Sequence, residues 1–145
     1  MVSVTGAWSR ADVARFLDDR TVPLRLGCRR PSGDPWMLSL WYRYRDGAFD
    51  CATAADADVV SYLEHDDAVS FEVSTNEPPY RGVRGNGTAT VSPDEEKAVL
   101  RALIERYLGG TDDDLAQRLL APSREEVRIR ITPDRLHSWD YSDRM

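Results

Sequence analysis

Lysine is almost missing from this chain: Lys97 stands alone beside eighteen arginines, and the formal net charge is −6. An acidic chain without basic runs has no electrostatic footprint for nucleic acid, so no nucleic-acid partner is expected. Histidine is equally scarce. His65 and His137 lie far apart, neither has a partner at ligand spacing, and no metal site is expected. The two cysteines, Cys28 and Cys51, lack C-x-x-C spacing and read as buried free thiols on strands. No apolar run approaches the roughly 20 residues of a membrane helix. The start, Met-Val-Ser-Val-Thr-Gly-Ala-Trp, has neither the basic region nor the apolar stretch of a signal peptide. No membrane partner and a cytoplasmic location are therefore expected. No serine or cysteine nucleophile stands in a motif with a histidine, and no two carboxylates are spaced for acid–base work. An enzyme built on this chain must take its chemistry from a cofactor.

What is present suffices for a core. Of 145 residues, 41% are hydrophobic, enough for one domain over 1–145 that buries about two-thirds of its unfolded surface. Residues 1–8 read as an N-terminal extension and 134–145 as a polar C-terminal tail. Ser9-Arg-Ala-Asp12 is a capping box that opens a helix to about Asp19, with Val13, Phe16 and Leu17 inward. Residues 22–29 alternate as a strand, and 36–45 as a second. Asp46-Gly47 signals a hairpin returning over 48–53. Asp56 is placed to cap a helix to about His65. Strands follow over 68–74 and 80–91. Ser92-Pro-Asp-Glu95 reads as the start of a helix ending at Gly109-Gly110. A short helix over 113–120 and a strand over 126–131, ended by Pro133, complete the chain. Six strands joined by short turns, with inserted helices and no βαβ repeat, predict a mainly β fold with peripheral helices: a small antiparallel barrel.

The richest segment is Ser74 to Val91, where a Pro-Pro corner delivers Tyr80, Arg81 and Arg84 beside Gly82, Gly85 and Gly87. Arginines next to bare backbone suit an anion, because glycine leaves amides uncovered. The competing reading is a pair of surface arginines on a strand. The Val99-Leu103-Ile104 stripe is core, and Asp112-Asp113-Asp114 is a helix cap with a solvated face.

Three motifs occur in an order that resembles the pyridoxamine 5′-phosphate oxidase-like split barrels. They are Thr53 followed ten residues on by Leu63, Arg81-Gly-Val-Arg-Gly-Asn-Gly87, and Ile131-Thr-Pro133 followed by Trp139. The resemblance spans about residues 10–141. It implies a six-stranded antiparallel split β-barrel, a homodimer, and FMN or the deazaflavin F420 held between subunits to exchange hydride with a small-molecule substrate. It places Trp41, Tyr42 and Trp139 around the ring. Arg43, Arg81 and Arg84 become the anion contacts. Thr53, Ala54 and the backbone near Asp56 fall at the phosphate end, with Ser61 where a basic residue would stand.

The departures carry information too. Ala57 and Val59 replace a phosphate-binding Ser and Lys, and Gly82 replaces a Gln that would bond the flavin ring. The family's basic Arg-Leu-His tail has no counterpart after Trp139, so oxidation of pyridoxamine phosphate itself is not expected. Two alternatives stay open. One is a split-barrel dimer that has lost its cofactor and serves as a binding or scaffold protein. The other is a haem-handling barrel with only two histidines to offer.

Overall fold

The computed structural model describes residues 2–144; Met1 and Met145, the ends of the domain read from the sequence, lie outside the described residues. Its strands are β1 (Ser3–Gly6), β2 (Leu24–Arg29), β3 (Pro35–Leu40), β4 (Arg43–Arg45), β5 (Ala48–Ala54), β6 (Ala68–Ser74), β7 (Arg81–Pro93) and β8 (Glu126–Asp140). Its helices are α1 (Arg10–Asp19), α2 (Asp58–His65), α3 (Ala98–Leu108) and α4 (Asp114–Leu119). The sheet runs β3-β2-β6-β7-β8-β5-β4, with β1 added on β8.

The two ends of that order are consecutive in the chain, and this closes the fold. Laid flat, strands about 4.8 Å apart would separate β3 from β4 by on the order of 29 Å. The three peptide steps from Leu40 to Arg43 reach about 11 Å at most. The sheet must therefore curl until its edges meet at Trp41-Tyr42. Inside the curl lie Leu24, Leu26, Phe49, Cys51, Phe71, Val73, Val83, Ile129, Ile131 and Leu136, all buried. Helix α1 adds Val13, Phe16 and Leu17 to this core, and α2 adds Val59, Val60 and Leu63.

Several local expectations hold for the reasons that predicted them. Ser9 and Asp12 form the reciprocal capping box. Asp46 and Gly47 both take positive φ, 54° and 75°, as a two-residue hairpin with right-handed strand twist requires. Both cysteines are free and buried.

Five expectations need correction. The strand over 36–45 is broken at Trp41-Tyr42, because the fully buried Tyr42 turns into the core. Its N–H binds the Tyr107 hydroxyl (3.2 Å), and its own hydroxyl donates to the carbonyls of Leu17 (2.7 Å) and Arg20 (3.2 Å). Asp56 does not cap α2: it is exposed in the preceding turn, and Ala57 takes the cap position without a side-chain bond. Pro93 belongs to β7, Lys97 takes the N-cap position of α3 without a side-chain bond, and the capping carboxylate comes instead from the buried Asp94. Its two carboxylate oxygens accept the N–H groups of Val99 and Leu100 at 3.0 Å each, across a 3-10 turn over Glu95–Lys97. Pro133 does not end β8, because the register shifts at Asn86/Gly87 on β7, opposite Pro133 and Arg135, and that irregularity accommodates a residue without an N–H. Finally, the sheet has eight strands rather than six. Part of the N-terminal extension is β1, paired in parallel with β8 (Ser3 with Arg135, Gly6 with Ser138), and most of the supposed tail is β8 itself.

Candidate functional site

Strand parity decides where the arginines go. On β7, Val83 is fully buried and faces the core. Arg81 shares its parity, whereas Gly82, Arg84 and Asn86 face outward. Residues three apart on a strand point oppositely, so Arg81 and Arg84 do not converge on one anion.

Arg84 joins the outer face. Its cross-strand partners are Glu72 on β6 and His137 on β8, and its guanidinium lies 5.2 Å from the Trp139 ring centroid in a cation–π contact. Around it opens a cleft of about 430 Å³ lined by Arg25, Met37, Glu72, Arg135 and His137, with Gly27 in its wall. Three arginines against one glutamate leave surplus positive charge on a chain whose net charge is −6. Thr5 of β1 is hydrogen-bonded to His137 Nδ1 at 2.9 Å and fixes the imidazole. Met37 is 69% exposed, an apolar side chain without cover on this face.

Arg81 opens on a different cleft, with Trp8, Asp12, Asp19, Arg20 and Asp140. Hydrogen bonds from the Ser142 hydroxyl and N–H hold the Asp140 carboxyl below its usual range, and the charge of Arg81 adds a smaller pull. The glycines beside these arginines are not a ligand cradle. A Cβ on Gly82 would stand 2.6 Å from the Val73 carbonyl, one on Gly85 2.0 Å from that of Arg135, and one on Gly87 2.1 Å from that of Thr132. Their missing side chains let β7 approach its neighbours.

The remaining candidates divide among three places. Trp41 stacks on Tyr107 (centroids 5.1 Å apart, planes 9°) and shares with Thr53 a cavity of about 330 Å³ between the sheet and α3/α4; Ala54 pairs with Glu126 beside it. Arg43 is bound to the buried Asp50 (3.4 Å), which also holds Arg128 and Arg130 at 3.0 Å each. Asp56 and Ser61 are exposed, and the Ser61 hydroxyl donates to the Asp58 carbonyl. Arg25, Arg135, Asp50 and Glu126 were not singled out from the sequence, and His137 was weighed only as a metal or haem ligand. Parity beside Leu24 and Leu26 marked Arg25 as outward, but only the register shows what it joins.

Burial pushes the thiol of Cys51 strongly upward, and also that of Cys28, so neither is a reactive thiolate. Among the described residues no group of His, Cys, Asp or Glu could hold a metal ion, and no helix is long and apolar enough to cross a membrane.

A mainly antiparallel sheet curled until its edge strands join, with helices outside it, matches the split-barrel structures as a class. The chain belongs to the pyridoxamine 5′-phosphate oxidase family, whose model matches residues 9–139. A conserved hypothetical protein from Mycobacterium tuberculosis superposes with a TM-score of 0.77 at 26% identity, covering 97% of this chain and 90% of that one. An F420 reductase follows at 0.70 and 21%, covering 84% and 94%. A haem storage protein from Vibrio cholerae shares the fold at 0.66 and 14%, covering 88% and 92%. Among curated proteins, none matches the chain.

The residues present fit a flavin-type cofactor unevenly. The outer-face cleft has the arginines an anionic cofactor needs. The cavity beside Thr53 does not suit a phosphate. Positions 57, 58, 59 and 61 are Ala, Asp, Val and Ser, and the Arg124 guanidinium on its wall is already paired with Glu126 at 2.9 Å.

Proposed function

We propose that this chain is a cofactor-binding oxidoreductase whose outer sheet face holds F420 or FMN, in a homodimer that acts on a small molecule. One observation carries the reading: Arg25, Arg84 and Arg135 gather over a single cleft of an otherwise acidic protein, and Arg84 also makes a cation–π contact with Trp139. When bound, the cofactor supplies hydride transfer. The chain's own contribution is to hold negative charge with dispersed guanidinium groups, to offer the indole face of Trp139, and to keep the imidazole of His137 in place through Thr5. Dispersed arginines suit the extended acidic tail of F420 better than the compact phosphate of FMN, which wants its donors in one place.

The absence of Lys or Arg on α2 favours the alternative, a split barrel that works without cofactor. Titration of the purified protein with F420 and FMN, followed by absorbance and fluorescence, separates the two readings. Saturable binding with F420 the tighter ligand supports the proposal; no binding of either at high micromolar concentration refutes it. Sedimentation at equilibrium tests the dimer, and a monomer at all concentrations removes it.

A further inference from the structure

A buried carboxylate needs one counter-charge, and Asp50 has three. Its Oδ1 accepts from Arg128 Nε and Arg130 Nη1, both at 3.0 Å, and its Oδ2 from Arg43 Nε at 3.4 Å. One bidentate guanidinium would satisfy both oxygens. The second and third add repulsion that a single carboxylate only partly offsets, and they leave two positive charges in excess at one point of a chain with net charge −6. Of the flanking acids, Glu126 is paired with Arg124 at 2.9 Å and Asp46 with Arg45 at 3.7 Å, so they do not remove the excess. The spare donors reach water. Asp50 engages one nitrogen of each arginine, and none of their other nitrogens is among the buried groups left without a partner, so those nitrogens are open to solvent. On β7, Thr90 stands opposite Arg130 and Ser92 opposite Arg128. Ala89 and Val91 pack inward, so the two hydroxyls share the face of the arginines.

We infer that Arg43, Arg128 and Arg130 form a surface binding site for a phosphoryl dianion, either inorganic phosphate or the phosphate monoester of a small molecule. The charge follows from the count. Two charges in excess match a dianion, whereas one carboxylate would leave a guanidinium unbalanced. The size follows from convergence. Arg128 and Arg130 reach the same oxygen of Asp50, so their free N–H groups serve one compact oxyanion. Acidic side chains on one face of an extended peptide stand roughly 7 Å apart and would not converge there. The guanidinium fork matches phosphate oxygens in geometry as well as in charge. Asp50 is a positioning residue: it holds the three forks in place before a ligand arrives, which lowers the ordering cost of binding. This site lies on the stretch of β8 before Pro133, apart from Arg135 and His137, and does not rest on the cofactor reading. It separates Arg43 from the arginines of the outer-face cleft.

Phenyl phosphate and phenyl sulfate test it. They share a ring and a tetrahedral oxyanion, but at about pH 8 the phosphate carries nearly two charges and the sulfate one. Ligand-observed proton NMR against the full chain at low salt should show phenyl phosphate binding saturably in the millimolar range or tighter, and phenyl sulfate at least about fivefold more weakly. Inorganic phosphate should displace phenyl phosphate, because the phosphoryl group alone is recognised. Arg128→Met should weaken phenyl phosphate about tenfold, through the loss of one charge-assisted contact. Thr90→Glu sits at an exposed strand position and keeps all three arginines. It should weaken binding to a similar degree by placing a carboxylate beside Arg130, even if Arg128→Met fails to fold. Arg84→Ala, in the other cleft, should leave this affinity unchanged. The inference is overturned by no saturation at about 20 mM phenyl phosphate, by equal affinity for the two esters, or by failure of inorganic phosphate to displace. It is equally overturned by unchanged affinity in folded Arg128→Met or in Thr90→Glu, or by a loss in Arg84→Ala without one in Arg128→Met, which would assign the anion to the other cleft.

Discussion

Replacing Asp50 with Asn should expose an imbalance built into the sheet. Register aligns Arg43, Asp50 and Arg130 in one row across β4, β5 and β8, and Arg128 sits two residues further along β8, opposite Ala52. Three guanidinium groups share a carboxylate whose side chain is 2% exposed, while they are themselves 28%, 34% and 30% exposed. Removing one partner of a fully buried ion pair costs about 3–5 kcal/mol. Here the arginines reach water, which lowers the expected loss to about 2–3 kcal/mol. Urea unfolding at neutral pH should show that loss, and thermal unfolding should fall by roughly 5–10 °C for a chain of this length. Part of the loss is repulsion among the arginines, so added salt should shrink it. A double-mutant cycle sharpens the test. Arg128→Met should destabilise the native protein, yet be neutral or stabilising once Asp50 is Asn. A loss below about 0.5 kcal/mol, within the range of ordinary surface changes, or an equal cost of Arg128→Met in both backgrounds, would refute the reasoning.

Two further outcomes follow from the packing. Gly85→Ala should be strongly destabilising, because its Cβ would stand 2.0 Å from a backbone carbonyl, whereas Gly27→Ala meets only the movable hydroxyl of Ser70 at 2.6 Å and should be mild; comparable unfolding midpoints for the two would contradict this account of the glycines. Burial raises the Tyr42 phenol above its ordinary value near 10, so its contribution to stability is intact below pH ~10 and is lost as pH rises through the folded value. Alkaline unfolding should therefore be less steep in Tyr42→Phe. The same variant loses about 1–2 kcal/mol at neutral pH with its bonds to the Leu17 and Arg20 carbonyls; unaltered steepness and stability would remove Tyr42 from the lock on α1.

The local parts of the fold were legible because local chemistry determines them. Ser9 to Asp12, Asp46-Gly47 and the inward face of α1 follow from capping, turn conformation and the helical period. What escaped notice was non-local. Tyr42 reads as one more residue of an alternating strand until Tyr107, sixty-five residues away, takes its N–H. Pro133 reads as a stop until a register shift on β7 lets it pass. At the site, Arg81 and Arg84 were taken as partners although their spacing of three assigns them to opposite faces, which parity alone reveals. Arg135 and His137 reach the cleft only because β8 continues beyond Pro133, so misplacing its end hid them.

The most direct test of the cofactor reading is the dissociation constant of F420 measured in parallel for the native protein, Arg84→Ala and Arg81→Ala. The outer-face cleft predicts that Arg84→Ala weakens binding about tenfold or more, by the loss of a charge-assisted contact, and that Arg81→Ala leaves it unchanged. An unchanged constant in Arg84→Ala, or a loss confined to Arg81→Ala, would place the cofactor elsewhere and contradict the account.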